Sequence, residues 1–318
     1  MRVAVIGAGP IGGILSAHLI RAGNEVVVVD IIDEILRRAT EVGLKVTGPA
    51  AGKTWGDFTA KPTAAVKHIR DAGNPEVVFV CVKTTAQNAV AETLKGSIPD
   101  DTIVVSFQNG IDPEDVLADI VGRQRTLRVV VNYAGNVTNS CTYKMNWFNP
   151  PNHIGALVSE GRSNAERICQ LLSEARLTTD VVDDIKKFAF EKTALNATLC
   201  PICALTGMTM GEAMADPDTR KLVVEILKEA RAVGEKQGWT FESNLDDWIR
   251  YLEAGGPHKP SLAVDMDAGR PTEIYYMNGK ICEHGRRLGV PTPYNDAMFW
   301  TVLGKERKVR GRLVGGGE

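Results

Sequence analysis

The chain has 318 residues, 44% hydrophobic and 24% charged, with a formal net charge of −2. That length suggests about two domains with sizeable cores, and the near-balanced charge argues against a nucleic-acid or membrane-surface partner. No apolar run reaches membrane-spanning length, Val77–Val82 being only strand-sized. The N-terminus already reads as a strand, leaving no room for a signal peptide, so a cytoplasmic protein is expected. Of the six cysteines, Cys81 lies in an apolar strand and Cys169 in a helical stretch. Cys200-Pro201-Ile202-Cys203 has the spacing of a redox or zinc motif. No second pair or histidine pair completes a metal site, so the expectation is buried thiols of a reducing compartment and no metal.

In chain order, Arg2-Val3-Ala4-Val5-Ile6 predicts a short buried parallel strand. It runs into Gly7-Ala8-Gly9-Pro10-Ile11-Gly12, a G-x-G-x-x-G turn, and then into a helix through His18 and Leu19. That order is what a dinucleotide-binding βαβ unit requires. Gly7 permits the tight turn, Gly9 lets backbone approach a pyrophosphate, and Gly12 lets the helix pack closely on the strand. The helix N-terminus offers N–H groups and a positive dipole end to phosphates. Glu25–Val29 predicts the second strand, and Asp30 stands at its end, eighteen residues past Gly12. Its carboxylate suits ribose hydroxyls and repels a 2′-phosphate. No arginine or lysine follows until Arg37, so the sequence favours NAD over NADP.

Val77–Val82 predicts a buried strand with Lys83-Thr84-Thr85 at its carboxyl end, then a helix over 87–94. Thr102–Phe107 predicts the next strand, ending in Gln108-Asn109-Gly110, followed by a helix over 113–121 and a strand over 127–132. This is a doubly wound parallel pattern, whose functional residues gather at the carboxyl ends of the strands. From Tyr133 to about Val158, short polar pieces suggest antiparallel strands finishing that sheet. A helix over 164–175 and an edge strand over 178–182 follow. Beyond Asp183 helical periodicity takes over, at about 185–199, 218–237, 244–252 and 272–288, with a loop at Gly255–Pro260. The tail Gly315–Glu318 is expected to be mobile. The expected fold is α/β: a Rossmann doubly wound sheet over residues 1–183 and an all-helical domain over 184–318.

Hydride transfer to a ketone needs an oriented nicotinamide and a proton donor for the developing alkoxide. In Phe190–Asn196, Lys192 and Asn196 are four apart and share a helix face. An ammonium able to protonate an alkoxide then lies beside an amide able to hold a substrate, although most lysines are solvated surface charges.

Several pieces in order resemble the ketopantoate reductase family almost end to end. They are Gly7–Gly12, Val82-Lys83-Thr84, Gln108-Asn109-Gly110, Lys192 with Asn196, Ser261, Pro271–Ile274 and Asn278-Gly279. The resemblance implies reduction of a 2-keto acid to the D-2-hydroxy acid, and a helical domain that serves for dimerisation, hence a homodimer. It implies Lys192 as general acid, Asn109 as the amide at the nicotinamide and substrate, and Lys83 as a lysine near the cofactor. It also implies Asn196 and Ser261 as substrate donors, and Glu273 as the acid supporting substrate and lysine. After Pro271-Thr272, however, an acid also suits a helix first turn for the dipole alone.

Departures cluster at the cofactor ribose and the substrate pocket. Cys200 stands where family members with ketopantoate activity usually carry asparagine, and a thiol bonds weakly. Losing one such contact costs about 1–3 kcal/mol if a partner is left unsatisfied. Pro260 replaces the first serine of a family pair, Val264 a frequent glutamine, and Asp30 stands where many members have arginine and use NADP. The reading is thus an NAD-dependent, 2-dehydropantoate 2-reductase-like enzyme. The alternative is an NAD-dependent D-2-hydroxyacid dehydrogenase taking a branched or aromatic acid, favoured by Cys200 and Asp30. A dinucleotide-binding sensor without turnover belongs to a different class, and the retained Lys192, Asn196, Ser261 and Glu273 argue against it.

Overall fold

The computed structural model describes residues 1–49 and 54–311. The glycine-rich tail at Gly315–Glu318 lies outside the described residues. The chain forms two compact units, one of residues 1–109 and 113–185, the other of residues 110–112 together with the chain from Lys186 onward.

The first unit runs β1 (Arg2–Ile6), α1 (Pro10–Arg21), β2 (Glu25–Val29), α2 (Asp33–Glu41), β3 (Leu44–Thr47), β4 (Phe58–Ala60), β5 (Ala64–Val66), β6 (Val77–Val80), α3 (Gln87–Leu94), β7 (Ile103–Ser106), α4 (Pro113–Val121), β8 (Thr126–Val130), β9 (Tyr133–Asn139), β10 (Thr142–Phe148), β11 (Asn152–Ala156), α5 (Arg162–Glu174) and β12 (Thr179–Val181). Eight strands form one sheet in the order β12-β11-β8-β7-β6-β1-β2-β5. Every pairing in it is parallel except β11 against β8. The central strands read as continuous apolar runs because both faces are covered: Val3, Val5, Phe79 and Val105 enter one core, and Ala4, Val78, Val80 and Val104 the other. The strand order reverses between β1 and β6, which is where ligands bind in sheets of this kind.

The stretch expected to finish that sheet does so only in part. β9 and β10 pair with each other and, through β10, with β3, making a separate four-stranded sheet in the order β4-β3-β10-β9. Their alternate residues Tyr133, Tyr143 and Met145 are apolar enough to bury against a helix, and they join the core that contains Ile14 and Leu15 of α1. Periodicity could not say which partner that face would find.

The second unit is helical: α6 (Ile185–Thr206), α7 (Met210–Ala215), α8 (Pro217–Lys236), α9 (Leu245–Glu253), α10 (Ser261–Asp267), α11 (Asn278–Leu288) and α12 (Pro293–Val309). α7 and α9 begin with reciprocal capping boxes, Thr209 with Glu212 and Asn244 with Asp247. α12, starting on Pro293 after Thr292, was not evident from the periodicity. The helix expected over 272–288 begins only at Asn278, after a 3₁₀ turn at Ile274–Tyr276. Among the described residues no helix is long and apolar enough to cross a membrane.

His18 of α1 is fully buried against Trp55 and Phe58, with ring centroids 5.3 and 5.1 Å away. Its Nδ1 donates to the Ala175 carbonyl at 2.9 Å, and Nε2 meets no hydrogen-bond partner among the described residues. Burial pushes the imidazole down to about 4 against the Ala175 bond that favours its charged form. The folded protein therefore holds it neutral, while the unfolded chain takes up a proton below about 6.5. Stability from this source is complete above that value and is lost as the pH falls toward 4. Urea unfolding at pH 7 and pH 5 should differ by about 2 kcal/mol on account of His18. His18→Leu should flatten that difference, with a smaller residue left by His153, which burial also lowers. An undiminished difference in the variant would remove His18 from the account.

Candidate active site

The turn between β1 and α1 is built as a phosphate-binding turn must be. Gly7 has φ +95° and donates to the Val29 carbonyl at 2.8 Å. A Cβ on Gly12 would overlap the Gly7 carbonyl oxygen and lie 2.9 Å from Cys81 Cβ, so helix and strand touch only because position 12 is bare. A Cβ on Gly9 would meet nothing within 4 Å, which leaves open space beside the helix N-terminus. Pro10 occupies the first helical position, where its missing N–H costs nothing. Ile11 follows it, half-buried.

Asp30 closes this turn. Its Oδ2 accepts from the Ala8 N–H at 2.8 Å and its Oδ1 from the Ile32 N–H at 3.0 Å. Beside it a cavity of about 410 Å³ is lined by Gly7, Asp30, Ile31, Lys67, His68 and Arg70 among others. The open space at Gly9, the helix N-terminus and the acid at the edge fit the pyrophosphate and ribose of a dinucleotide. The fold adds what local sequence did not contain: three basic side chains, from after β5, stand at the same cavity. Lys67 is paired with Asp33 at 2.7 Å. Arg37, the first cation after Asp30, is occupied by Glu34 and Glu41.

Farther along the strand ends, Lys83 is exposed after β6 and Asn109 half-buried after β7. A buried polar chain ties these two loops. Gln108 Nε2 donates to the Val82 carbonyl at 2.8 Å, Ser106 Oγ to Gln108 Oε1 at 3.1 Å, and Arg128 Nη1 to Ser106 Oγ at 3.0 Å. Arg128 and Glu114, both buried, form an ion pair at 3.7 Å. Local pattern marks Gln108 only as part of the Gln108-Asn109-Gly110 strand end and gives Ser106, Glu114 and Arg128 no role; the available signal was an arginine inside the apolar run of β8.

In the helical unit, Lys192 and Asn196 lie one turn apart on α6, both half-buried. α6 continues past the expected end through Pro201 to Thr206. A proline there cannot donate to the carbonyl four residues back, that of Ala197. Asn278 Nδ2 supplies the missing bond at 2.9 Å and donates also to Asn295 Oδ1 at 3.0 Å. Cys200 is a buried thiol, pushed up to about 12 by burial first, then by Cys203 and the nearby charge of Glu273. Cys203 is likewise pushed up to about 11, mainly by burial. Glu273 is buried at 7% exposure and precedes a 3₁₀ turn, so it is not the first-turn acid of a long helix. Thr272 is instead engaged by Glu306, through its N–H at 3.0 Å and its hydroxyl at 2.7 Å. Ser261 opens α10 and is exposed.

Residues 110–112 belong to this unit through their own bonds. Ile111 N–H donates to the Tyr276 carbonyl at 2.8 Å. Asp112, at φ 62°, meets His284 Nε2 at 2.8 Å and Lys186 Nζ at 3.0 Å. Burial alone would raise the Asp112 carboxyl; His284 and Lys186 outweigh it and hold it well below the usual carboxylate range.

Residues 3–157 match the family described as ketopantoate reductase PanE/ApbA, and residues 184–306 match its C-terminal part. A 2-dehydropantoate 2-reductase of Mesorhizobium japonicum is 28% identical, over 95% of this chain and 97% of its own. The chain belongs to the ketopantoate reductase family. Among solved structures, a family ketopantoate reductase from Ralstonia eutropha superposes with a TM-score of 0.88 at 22% identity, covering 98% of this chain and 100% of that one. D-mandelate dehydrogenase, solved with NADH and anilino(oxo)acetate, gives 0.86 at 23% identity, covering 97% and 99%. At those identities the two structures speak for the fold. A ketopantoate reductase fold is thus realised here with a proline inside the helix that carries Lys192.

The bond from Asn278 to the Ala197 carbonyl has a direct test. Asn278→Ala should cost about 1–3 kcal/mol in urea unfolding. In a Pro201→Ala background, where residue 201 regains its N–H, the same change should cost about 1 kcal/mol less. Strict additivity of the two changes would show that Asn278 does not substitute for the proline's missing donor.

Proposed function

We propose that this protein reduces a 2-keto acid to the D-2-hydroxy acid with NADH, ketopantoate being the leading substrate. The observation that carries the reading is the Asp30 carboxylate held against the Ala8 N–H at the edge of the open glycine turn. Bound nicotinamide supplies the hydride. Gly7, Ala8, Gly9, Pro10, Ile11 and Gly12 take the pyrophosphate, and Asp30 takes the ribose hydroxyls. A 2′-phosphate beside that carboxylate meets like charge; of the cations at the cavity Lys67 is shared with Asp33, which leaves Arg70 and His68 as the groups that would have to offset it. Lys83 serves the cofactor.

Lys192 holds the proton that the substrate's alkoxide oxygen receives as its carbonyl carbon is reduced; in the oxidative direction the free amine takes it back. Glu273 favours the ammonium form and supports cofactor and substrate. Asn109 orients nicotinamide and substrate carbonyl, while Asn196 and Ser261 donate to the substrate. A second reading is an NAD-dependent D-2-hydroxyacid dehydrogenase for a branched or aromatic acid. The buried, protonated thiol of Cys200 favours it, because that position offers an apolar surface rather than a strong donor. We infer a homodimer, as the family resemblance implies. The six cysteines are free, which suits a reducing compartment such as the cytoplasm.

Steady-state rates with NADH and NADPH on ketopantoate, branched-chain and aromatic 2-keto acids test these assignments together. NADH should give the higher kcat/KM; a clear advantage for NADPH would overturn the role given to Asp30. A wide margin for ketopantoate would eliminate the second reading. Lys192→Ala should lower kcat by about 10²-fold or more while nucleotide affinity stays put. A loss in KM alone would make the lysine a substrate-binding group, and a sensor without turnover would be indifferent to the change.

A further inference from the structure

We propose that Tyr143 and Tyr133, on the hairpin β9–β10, are positioning residues for nucleotide binding that act by fixing the peptide groups of the glycine turn. This rests on the dinucleotide reading of that turn. Tyr143 Oη donates to the Ala8 carbonyl at 2.9 Å, and Tyr133 Oη donates to the Ile11 carbonyl at 2.9 Å. Both phenols are buried, at 1% and 3% exposure. Burial raises both well above the usual phenol range, so each remains a donor across the working pH range.

The geometry of the peptide unit makes this more than packing. In a trans peptide the carbonyl and the following N–H point in opposite directions. Holding the Ala8 carbonyl toward the hairpin therefore turns the Gly9 N–H away from it. The preceding peptide is held as well, since the Ala8 N–H is bonded to Asp30. On either side, Gly7 N–H is anchored to Val29 and the Gly9 carbonyl accepts from Gly13 at 2.8 Å. A turn with glycines at 7 and 9 would otherwise sample many orientations. Anion binding at a helix N-terminus depends on N–H groups already aimed, and orienting them before the ligand arrives removes that cost from binding.

Two glycines outside the G-x-G-x-x-G motif make room for the arrangement. A Cβ at Gly13 would overlap the Tyr143 ring. A Cβ at Gly135 of β9 would come within 2.5 Å of Ile14 Cδ1 on α1. The bare position 13 is the strict requirement, since its Cβ would sit inside the Tyr143 ring, while at Gly135 the atom met on α1 is the flexible tip of Ile14; the close approach brings the hydroxyls within reach of the turn.

Tyr143→Phe and Tyr133→Phe keep each ring and remove only the hydroxyl. Dissociation constants of NADH, ADP-ribose and adenosine would be measured on each variant, with unfolding followed in the absence of ligand. Tyr143→Phe is expected to weaken NADH and ADP-ribose by about five- to tenfold, with the double variant weaker still. Adenosine, which carries no phosphate, should bind within twofold of the unaltered protein, and kcat at saturating cofactor should hold. A general structural loss would move adenosine as much as ADP-ribose and would overturn the inference. So would NADH affinity unchanged in the double variant. If Tyr143→Phe does not fold, Tyr133→Phe carries the same comparison alone. Failure of the unaltered protein to bind any of the nucleotides would sink the functional reading itself and the inference with it, an outcome distinct from unaltered protein that binds and variants that bind equally.

Discussion

The backbone of Ala8, at the junction of two peptide groups, is the constraint on which the rest of the first unit is arranged. Its N–H is committed to Asp30 and its carbonyl to Tyr143, so one residue joins the end of β2, the glycine turn and the β9–β10 hairpin. A turn that admits an anion must leave space above it and yet stay rigid, and glycine supplies the space at the expense of rigidity. Stiffness has to come from outside the turn. Here it comes from a carboxylate twenty-two residues on and a phenol more than a hundred residues on.

The helical unit meets a comparable problem inside α6. A proline at 201 frees the Ala197 carbonyl in the middle of a helix, next to Asn196, in surroundings that exclude water. An orphaned acceptor there would be costly, and Asn278 answers it from α11. Asn278 reaches on to Asn295, whose amide nitrogen donates to Glu229 of α8 at 2.8 Å. The segment that carries Lys192 and Asn196 is thereby joined by side-chain amides to three other helices, which restrains the face the proposed mechanism needs.

Much of the first unit was legible because its local signals agree. Apolar runs, a glycine turn and an acid at the end of β2 are period-two and spacing patterns, and they read directly as a doubly wound sheet. The hairpin was misplaced because alternation marks a buried face without naming what buries it. α12 went unread, and the helix near 272 was started six residues early, because Pro293 and the run from Pro271 are interpreted by their caps and contacts more than by periodicity. Gln108 was noted as part of a motif, yet its link to Arg128 and Glu114 needs three separate strands and helices to be folded first.

By itself the sequence determined the class of the protein: strand, turn, helix and acid follow one another within thirty residues, and local steric rules leave few other ways to fold them. It also carried the identity of the residues proposed for chemistry, since Lys192, Asn196 and Glu273 are recognisable by type and order. Only the tertiary structure decided what surrounds them. Lys67, His68 and Arg70 reach the cavity at Asp30 from beyond β5, Tyr143 reaches Ala8 from the hairpin, and Asn278 reaches Ala197 from another helix. Such contacts depend on where distant segments meet once apolar faces are buried, and burial is indifferent to separation along the chain.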